Sequence, residues 1–127
     1  MANTPVRMLT GTAEREDSTT ATTFQDLVPT PGQVFSTTAA ATLTALLVTE
    51  CRVSAATVRL EVRIMIDGTV AHPGVVALTS RVKYGTSSHL GFKTAVPAGS
   101  HTVKVQWRVS GGTGFVRNRS FTVWEVR

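Results

Sequence analysis

The stretch Thr57-Val58-Arg59-Leu60-Glu61-Val62-Arg63-Ile64-Met65-Ile66-Asp67 decides the fold class. Val58, Leu60, Val62, Ile64 and Ile66 fall on one parity, and Thr57, Arg59, Glu61, Arg63, Met65 and Asp67 on the other. Strand side chains alternate between faces, whereas a helix repeats its apolar positions every three or four residues. A period of two held over this length predicts a strand with one face in a core and the other in water.

Working outward, Asp67-Gly68 is the dipeptide that accepts the positive φ angles of a tight hairpin turn, and Thr69-Val70 opens the return strand. Pro73-Gly74 breaks it. Val75 to Tyr84 reads as a further strand with Val76, Leu78, Val82 and Tyr84 on one side, Gly85 to Ser88 as a loop, and His89 to Val96 as a strand carrying Leu90 and Phe92. After the turn Pro97-Ala98-Gly99-Ser100, His101, Val103, Val105, Trp107 and Val109 alternate with polar residues. Gly111-Gly112-Thr113-Gly114 forms a loop, and Phe115 to Arg127 the last strand. Toward the N-terminus, Leu43, Ala45, Leu47, Cys51 and Val53 share a parity within Thr42–Val53. A helix over Ala39–Leu47 is the alternative there, but Thr38, Thr42, Thr44 and Thr49 are β-branched and favour strand.

About eight strands joined by Gly/Pro turns predict an all-β, two-sheet antiparallel sandwich, most plausibly a jelly roll. An immunoglobulin-like sandwich is the competing topology; it would favour a cysteine pair that this chain lacks. The 127 residues fit one domain and can bury a core without disulfides or metal.

Residues 1–38 differ from the rest. They are rich in Thr, Ser and Ala and contain Pro5, Pro29 and Pro31, so they are expected to form an extended N-terminal arm preceding a sandwich domain at 39–127, with strand pieces at Val6–Leu9, Phe24–Val28 and Val34–Ser36. The arm holds two basic and four acidic residues, net −2, and the remainder eleven and four, net +7. The basic residues of the body stand singly on alternate strand positions, the pattern of a solvated sheet face, so nucleic acid is not the expected partner. No apolar run reaches the roughly 18 residues a membrane helix needs and no secretory leader is evident, so a soluble protein made in a reducing cytoplasm is expected.

The residues that could carry chemistry do not converge in sequence. His72, His89 and His101 lie in or beside turns with no metal-ligand spacing. No Gly-x-Ser-x-Gly elbow occurs, Glu50, Glu61, Asp67 and Glu125 sit on different strands, and Gly111–Gly114 lacks the Lys-Ser/Thr sequel of a phosphate loop. Cys51 and Trp107 read as core. Catalytic residues, cofactors and metals are therefore not expected, nor is an enzyme.

The final strand is apolar on both parities, with Phe121 and Val123 on one face and Trp124 and Val126 on the other. Both faces then need cover, which points to a subunit interface including Phe115, Phe121, Val123, Trp124 and Val126.

The run Val96-Pro97-Ala98-Gly99-Ser100-His101-Thr102-Val103-Lys104-Val105-Gln106-Trp107-Arg108-Val109-Ser110-Gly111-Gly112, followed by Arg119-Ser120-Phe121-Thr122-Val123, resembles the small jelly-roll domains of tumour-necrosis-factor and complement-C1q type found in bacteriophage virion proteins and in bacterial proteins. The resemblance spans about residues 40–127. It implies a homotrimer packed through one sheet and a virion role: capsid decoration, with the major capsid protein or other virion subunits as partners. The alternative role is a receptor- or carbohydrate-binding head, recognising its ligand through loops 85–88 and 111–114. In the decoration reading, Val6, Arg7, Met8, Leu9, Phe24 and Leu27 of the arm would grip neighbouring subunits.

Overall fold

The computed structural model describes residues 5–28, 34–37 and 39–127, with only the backbone of residues 5–7. It contains eleven strands among the described residues. They are β1 (Pro5–Ala13), β2 (Asp17–Thr19), β3 (Gln25–Asp26), β4 (Val34–Thr37), β5 (Ala41–Val53), β6 (Leu60–Ile66), β7 (Thr69–Val70), β8 (Val76–Thr79), β9 (Gly85–Val96), β10 (Gly99–Val109) and β11 (Gly114–Val126). One sheet runs β1-β11-β5-β9, with β2 continuing the β1 position alongside β11. The second runs β3-β10-β6-β7, with β4 beside β10 and β8 beside β6. All pairings are antiparallel.

Taking β1/β2, β3/β4 and β7/β8 as interrupted strands leaves eight in chain order. The first sheet then reads first-eighth-third-sixth and the second reads second-seventh-fourth-fifth. Apart from the β6–β7 hairpin, every connection crosses from one sheet to the other. That winding is a jelly roll, in the two-sheet sandwich expected from the period-two runs.

The core lies between the sheets. Leu43, Ala45, Leu47, Cys51 and Val53 of β5, Leu60, Val62, Ile64 and Ile66 of β6, Val103, Val105 and Trp107 of β10, and Val116, Phe121 and Val123 of β11 are all buried. At Asp67 and Gly68 φ is +52° and +78°, the pair of positive angles a type I′ turn requires.

Several expectations change. Val75–Tyr84 is a strand only over Val76–Thr79; Val82 is exposed and Tyr84 points outward onto Arg117. Gly85–Ser88 is the beginning of β9, paired with Cys51 to Val48 of β5, because ladder hydrogen bonding overrides the weak strand propensity of Gly and Ser. A recognition head would therefore lose one of its two expected loops.

The described parts of the segment before residue 39 are extended and woven into both sheets of their own chain. Leu27 and Phe35 are 1% and 3% exposed in the common core, and the Leu27 amide donates to the Val105 carbonyl at 2.9 Å. Leu27 is thus unavailable to grip a neighbour. Phe24 is engaged at home too, its ring centre 4.0 and 4.3 Å from the Arg63 and Arg108 guanidinium groups. The side chains of Val6 and Arg7 lie outside the described residues.

Candidate assembly face

The outer side of the β1-β11-β5-β9 sheet is built by register. Met8, Trp124, Thr44 and Phe92 stand opposite one another across the four strands, and Thr10, Thr122, Leu46 and Leu90 form the next row. Thr12, Ser120, Val48 and Ser88 make a third, and Val126 lies across from Thr42 beyond the first. Met8, Leu90 and Phe92 are 63%, 45% and 37% exposed, while Trp124, Leu46 and Val126 are half-buried. Thr44 faces outward yet is only 9% exposed between its large neighbours. With strands about 4.8 Å apart and same-face residues about 6.7 Å apart, the two apolar rows and Val126 cover on the order of 300 Å².

A bulge creates this face. The β11–β5 register shifts between Arg117 and Ser120, where Asn118 has φ +47°. One inserted residue inverts parity, so Phe115 before the bulge and Trp124 and Val126 after it all point outward, while Val116, Phe121 and Val123 point inward. Phe121 and Val123, expected at a subunit interface, are at 1% and 0% exposure part of the protomer's own core. Phe115 is half-buried beneath the Arg52 guanidinium, 3.8 Å from its ring centre. It belongs to a polar end of the face, where Arg52 and Arg117 also stack on Tyr84, whose hydroxyl hydrogen-bonds Glu16. Of the five expected interface residues, Trp124 and Val126 therefore sit on the apolar part. Leu46, Leu90 and Phe92 join them there, and Met8 comes to the same face from the arm.

The opposite sheet has a different outer surface. Asp26 accepts from Gln106 at 2.9 Å and lies 3.3 Å from Lys104, Arg63 donates to Gln106 at 2.9 Å, and Arg108 to Glu61 at 2.8 Å. Charge and partner alternate there, as on a water-facing sheet. Hydrogen bonds from Gln106, then from Lys104, outweigh partial burial and hold the Asp26 carboxyl below its usual range.

Some of the chemical groups that the sequence scatters are brought together by the fold. His101 is 4% exposed; its Nδ1 lies 2.6 Å from Asp67 Oδ2 and its Nε2 2.7 Å from the Pro97 carbonyl. Thr37 Oγ1 is 3.5 Å from Nε2 but donates to the same Pro97 oxygen at 2.9 Å. An Asp-His-Thr series of this kind has nucleophilic geometry only if the hydroxyl points at the imidazole and meets substrate. Here the hydroxyl proton goes to a carbonyl and Thr37 is buried, so the cluster fastens β4 and the β6–β7 and β9–β10 turns together. Nothing in the spacing of Thr37, Asp67 and His101 could have shown it. Arg119, expected on no site, is 2% exposed and reaches Asp17 at 2.6 Å behind the bulge. Beside it a shallow depression of about 260 Å³ is lined by Thr12, Ala13, Glu14, Asn118, Arg119 and Ser120. Glu125 is fully buried, with neither carboxylate oxygen hydrogen-bonded and Arg127 Nη2 at 3.5 Å. His89 lies in mid-strand facing the core, not in a turn. Among the described residues no three His, Cys, Asp or Glu gather as metal ligands, and no helix is long and apolar enough to cross a membrane.

No family model matches the chain, and no curated protein matches it by sequence. Its fold does recur in solved structures. The VP2 subviral particle of infectious bursal disease virus aligns over 97% of this chain and 33% of its own at 16% identity, TM-score 0.61. The T=1 particles derived from the same virus align over 97% and 32% at 16% identity, TM-score 0.56. Dimeric latent PorU from Porphyromonas gingivalis aligns over 98% and 13% at 10% identity, TM-score 0.53. The chain spans about a third of the length of the virus chains it resembles, and at these identities the likeness is one of fold.

Proposed function

We propose that this chain is a non-enzymatic structural protein of a virion. It acts as a capsid decoration subunit and assembles as a homotrimer through the outer face of the β1-β11-β5-β9 sheet. The observation that carries this reading is the contrast between the two outer sheet faces. One is a network of paired charges suited to water, and the other presents Met8, Trp124, Leu46, Leu90, Phe92 and Val126 together. A largely apolar face of about 300 Å² has the size of the largest patch on a typical monomer, the one that most often serves an interaction.

Size also bears on symmetry. A standard interface buries about 800 Å² per partner, so the patch is small for a lone twofold contact. Closing a threefold ring gives every protomer two neighbours and adds the flanks of the face. The particle structures of infectious bursal disease virus align over almost the whole of this chain, which favours a shell-associated role. The described arm docks in cis, so attachment to a shell falls to the exposed side of the trimer and the protomer edges, with the major capsid protein as partner.

Cryo-electron microscopy of particles displaying the protein tests the reading. Density for three copies around threefold positions, with Trp124 at the centre of each trimer, is the expected result. Isolated protomers with the Trp124 face turned to solvent would overturn it.

A further inference from the structure

This inference rests on the outer face of the first sheet being the association surface. Beneath that face, His89 is 6% exposed at the middle of β9, across from Leu47, and its Nε2 is buried with no hydrogen-bond partner. The strands packed against β9 are β5, β6 and β8, and their buried residues are aliphatic, apart from Thr44, Thr49 and Cys51 of β5. None is charged, and burial pushes the Cys51 thiol up, so it is neutral as well. An imidazolium here would have no anion and no acceptor at Nε2. Burial alone holds the His89 pKa below the ordinary value of 6.5.

The position of His89 turns this into a device. β9 is the edge strand of its sheet, and the two backbone hydrogen bonds between His72 and Phe92 are the bridge on its outer side. The residues next to His89 and Gly91 are Leu90 and Phe92, two exposed apolar groups of the association face. We propose that His89 is an acid trigger: a proton taken up beneath β9 loosens this edge strand, withdraws Leu90 and Phe92 from the face, and releases assembled subunits on acidification.

The sign and the window follow from linkage. A histidine with a lowered folded-state value leaves stability intact above 6.5 and removes it as pH falls from 6.5 toward that value. His101 acts in the opposite sense and is fully favourable throughout this range. Asp17, Asp26, Glu50 and Asp67 are all held below their ordinary 3.8 or 4.5, so their contributions begin to fail only at lower pH. Between about 6.5 and 4.5, His89 is the group among these whose displaced titration weakens the fold.

Sedimentation equilibrium of the full chain from pH 7.5 to 5, with His89→Leu and His89→Gln alongside, tests the trigger together with amide-exchange protection factors for β9. With one His89 per protomer, the wild-type dissociation constant should rise by up to about tenfold per pH unit for each protomer released below 6.5 until His89 is protonated, while both variants stay flat. Variants that dissociate in acid as the wild type does, or a His89 ring that titrates at or above 6.5 by NMR, would overturn it. The exchange data separate the two ideas. A monomer whose β9 protection falls on acidification only when His89 is present keeps the trigger and removes the association reading. A stable assembly with pH-independent β9 protection does the reverse.

Discussion

His101 presents both ring nitrogens to acceptors: Nδ1 to the Asp67 carboxylate at 2.6 Å and Nε2 to the Pro97 carbonyl at 2.7 Å. An imidazole can donate from both nitrogens only as the cation. Burial by itself would lower the His101 pKa, but the bonds to Asp67 and Pro97 outweigh it and raise the value above 6.5. For a raised value, the stabilisation is complete below 6.5 and is lost as pH climbs through the folded-state pKa. Melting temperature should accordingly fall as pH rises above 6.5 in the wild type and much less in His101→Gln. Asp67→Asn should cost about 2 kcal/mol at pH 6, in line with hydrogen bonds to charged groups, as read by urea denaturation. An unchanged alkaline limb in His101→Gln would count against the cation.

Gly91 sets how closely the sheets approach under β9. A Cβ built there would lie 3.1 Å from Ile64 Cβ and Cδ1 and 3.4 Å from Ala71 Cβ. Gly91→Ala should destabilise by about 1–3 kcal/mol through overpacking. Guanidinium unfolding would show it as a lower midpoint at unchanged slope.

The clamp on Phe24 makes a more local prediction. Removing a ring that contacts two guanidinium groups should cost about 1–2 kcal/mol at this half-exposed site. Phe24→Leu should therefore speed exchange of the Leu27 amide, bonded to the Val105 carbonyl, several-fold while β6 amides stay protected. Equal loss of protection in both would show that the β3 segment does not open on its own.

How much of this was legible follows from which residues obeyed alternation. β6 and β10 were plain because their inward residues, His101 and Trp107 apart, are aliphatic and their outward ones are mostly polar or charged, so period and burial agree. β9 inverts the rule: His89 and Gly91 point in and Leu90 and Phe92 point out, and a Cβ at 91 would already lie 3.1 Å from Ile64. The bulge at Asn118 likewise reverses parity within β11, which moved Phe121 and Val123 from the expected interface into the core and left Trp124 outside. The arm hid its integration because Thr-rich, proline-broken segments carry little strand signal. Ladder bonds to β10 and β11 and two deep anchors, Leu27 and Phe35, hold it instead. The link from Asp67 to His101 and Thr37 spans turns distant in sequence, so only the fold brings it together.

The two faces of the sandwich should respond differently to charge. Trp124→Glu or Leu90→Glu places a carboxylate in the apolar rows, whereas Arg63→Glu alters the water-facing network beside Gln106. The first two should separate the subunits while far-ultraviolet circular dichroism stays that of the wild type, and Arg63→Glu should leave the assembly intact. Dissociation by Arg63→Glu alone would move the contact to the other sheet.

The most direct test of the central claim is the mass of the wild-type protein in solution at neutral pH and micromolar concentration, measured by light scattering. Association through the Met8, Trp124 and Phe92 row predicts a species about three times 13.6 kDa that reverts to one protomer in Trp124→Glu. A wild-type species of 13.6 kDa at every concentration, with the Trp124 ring open to quencher, would contradict it.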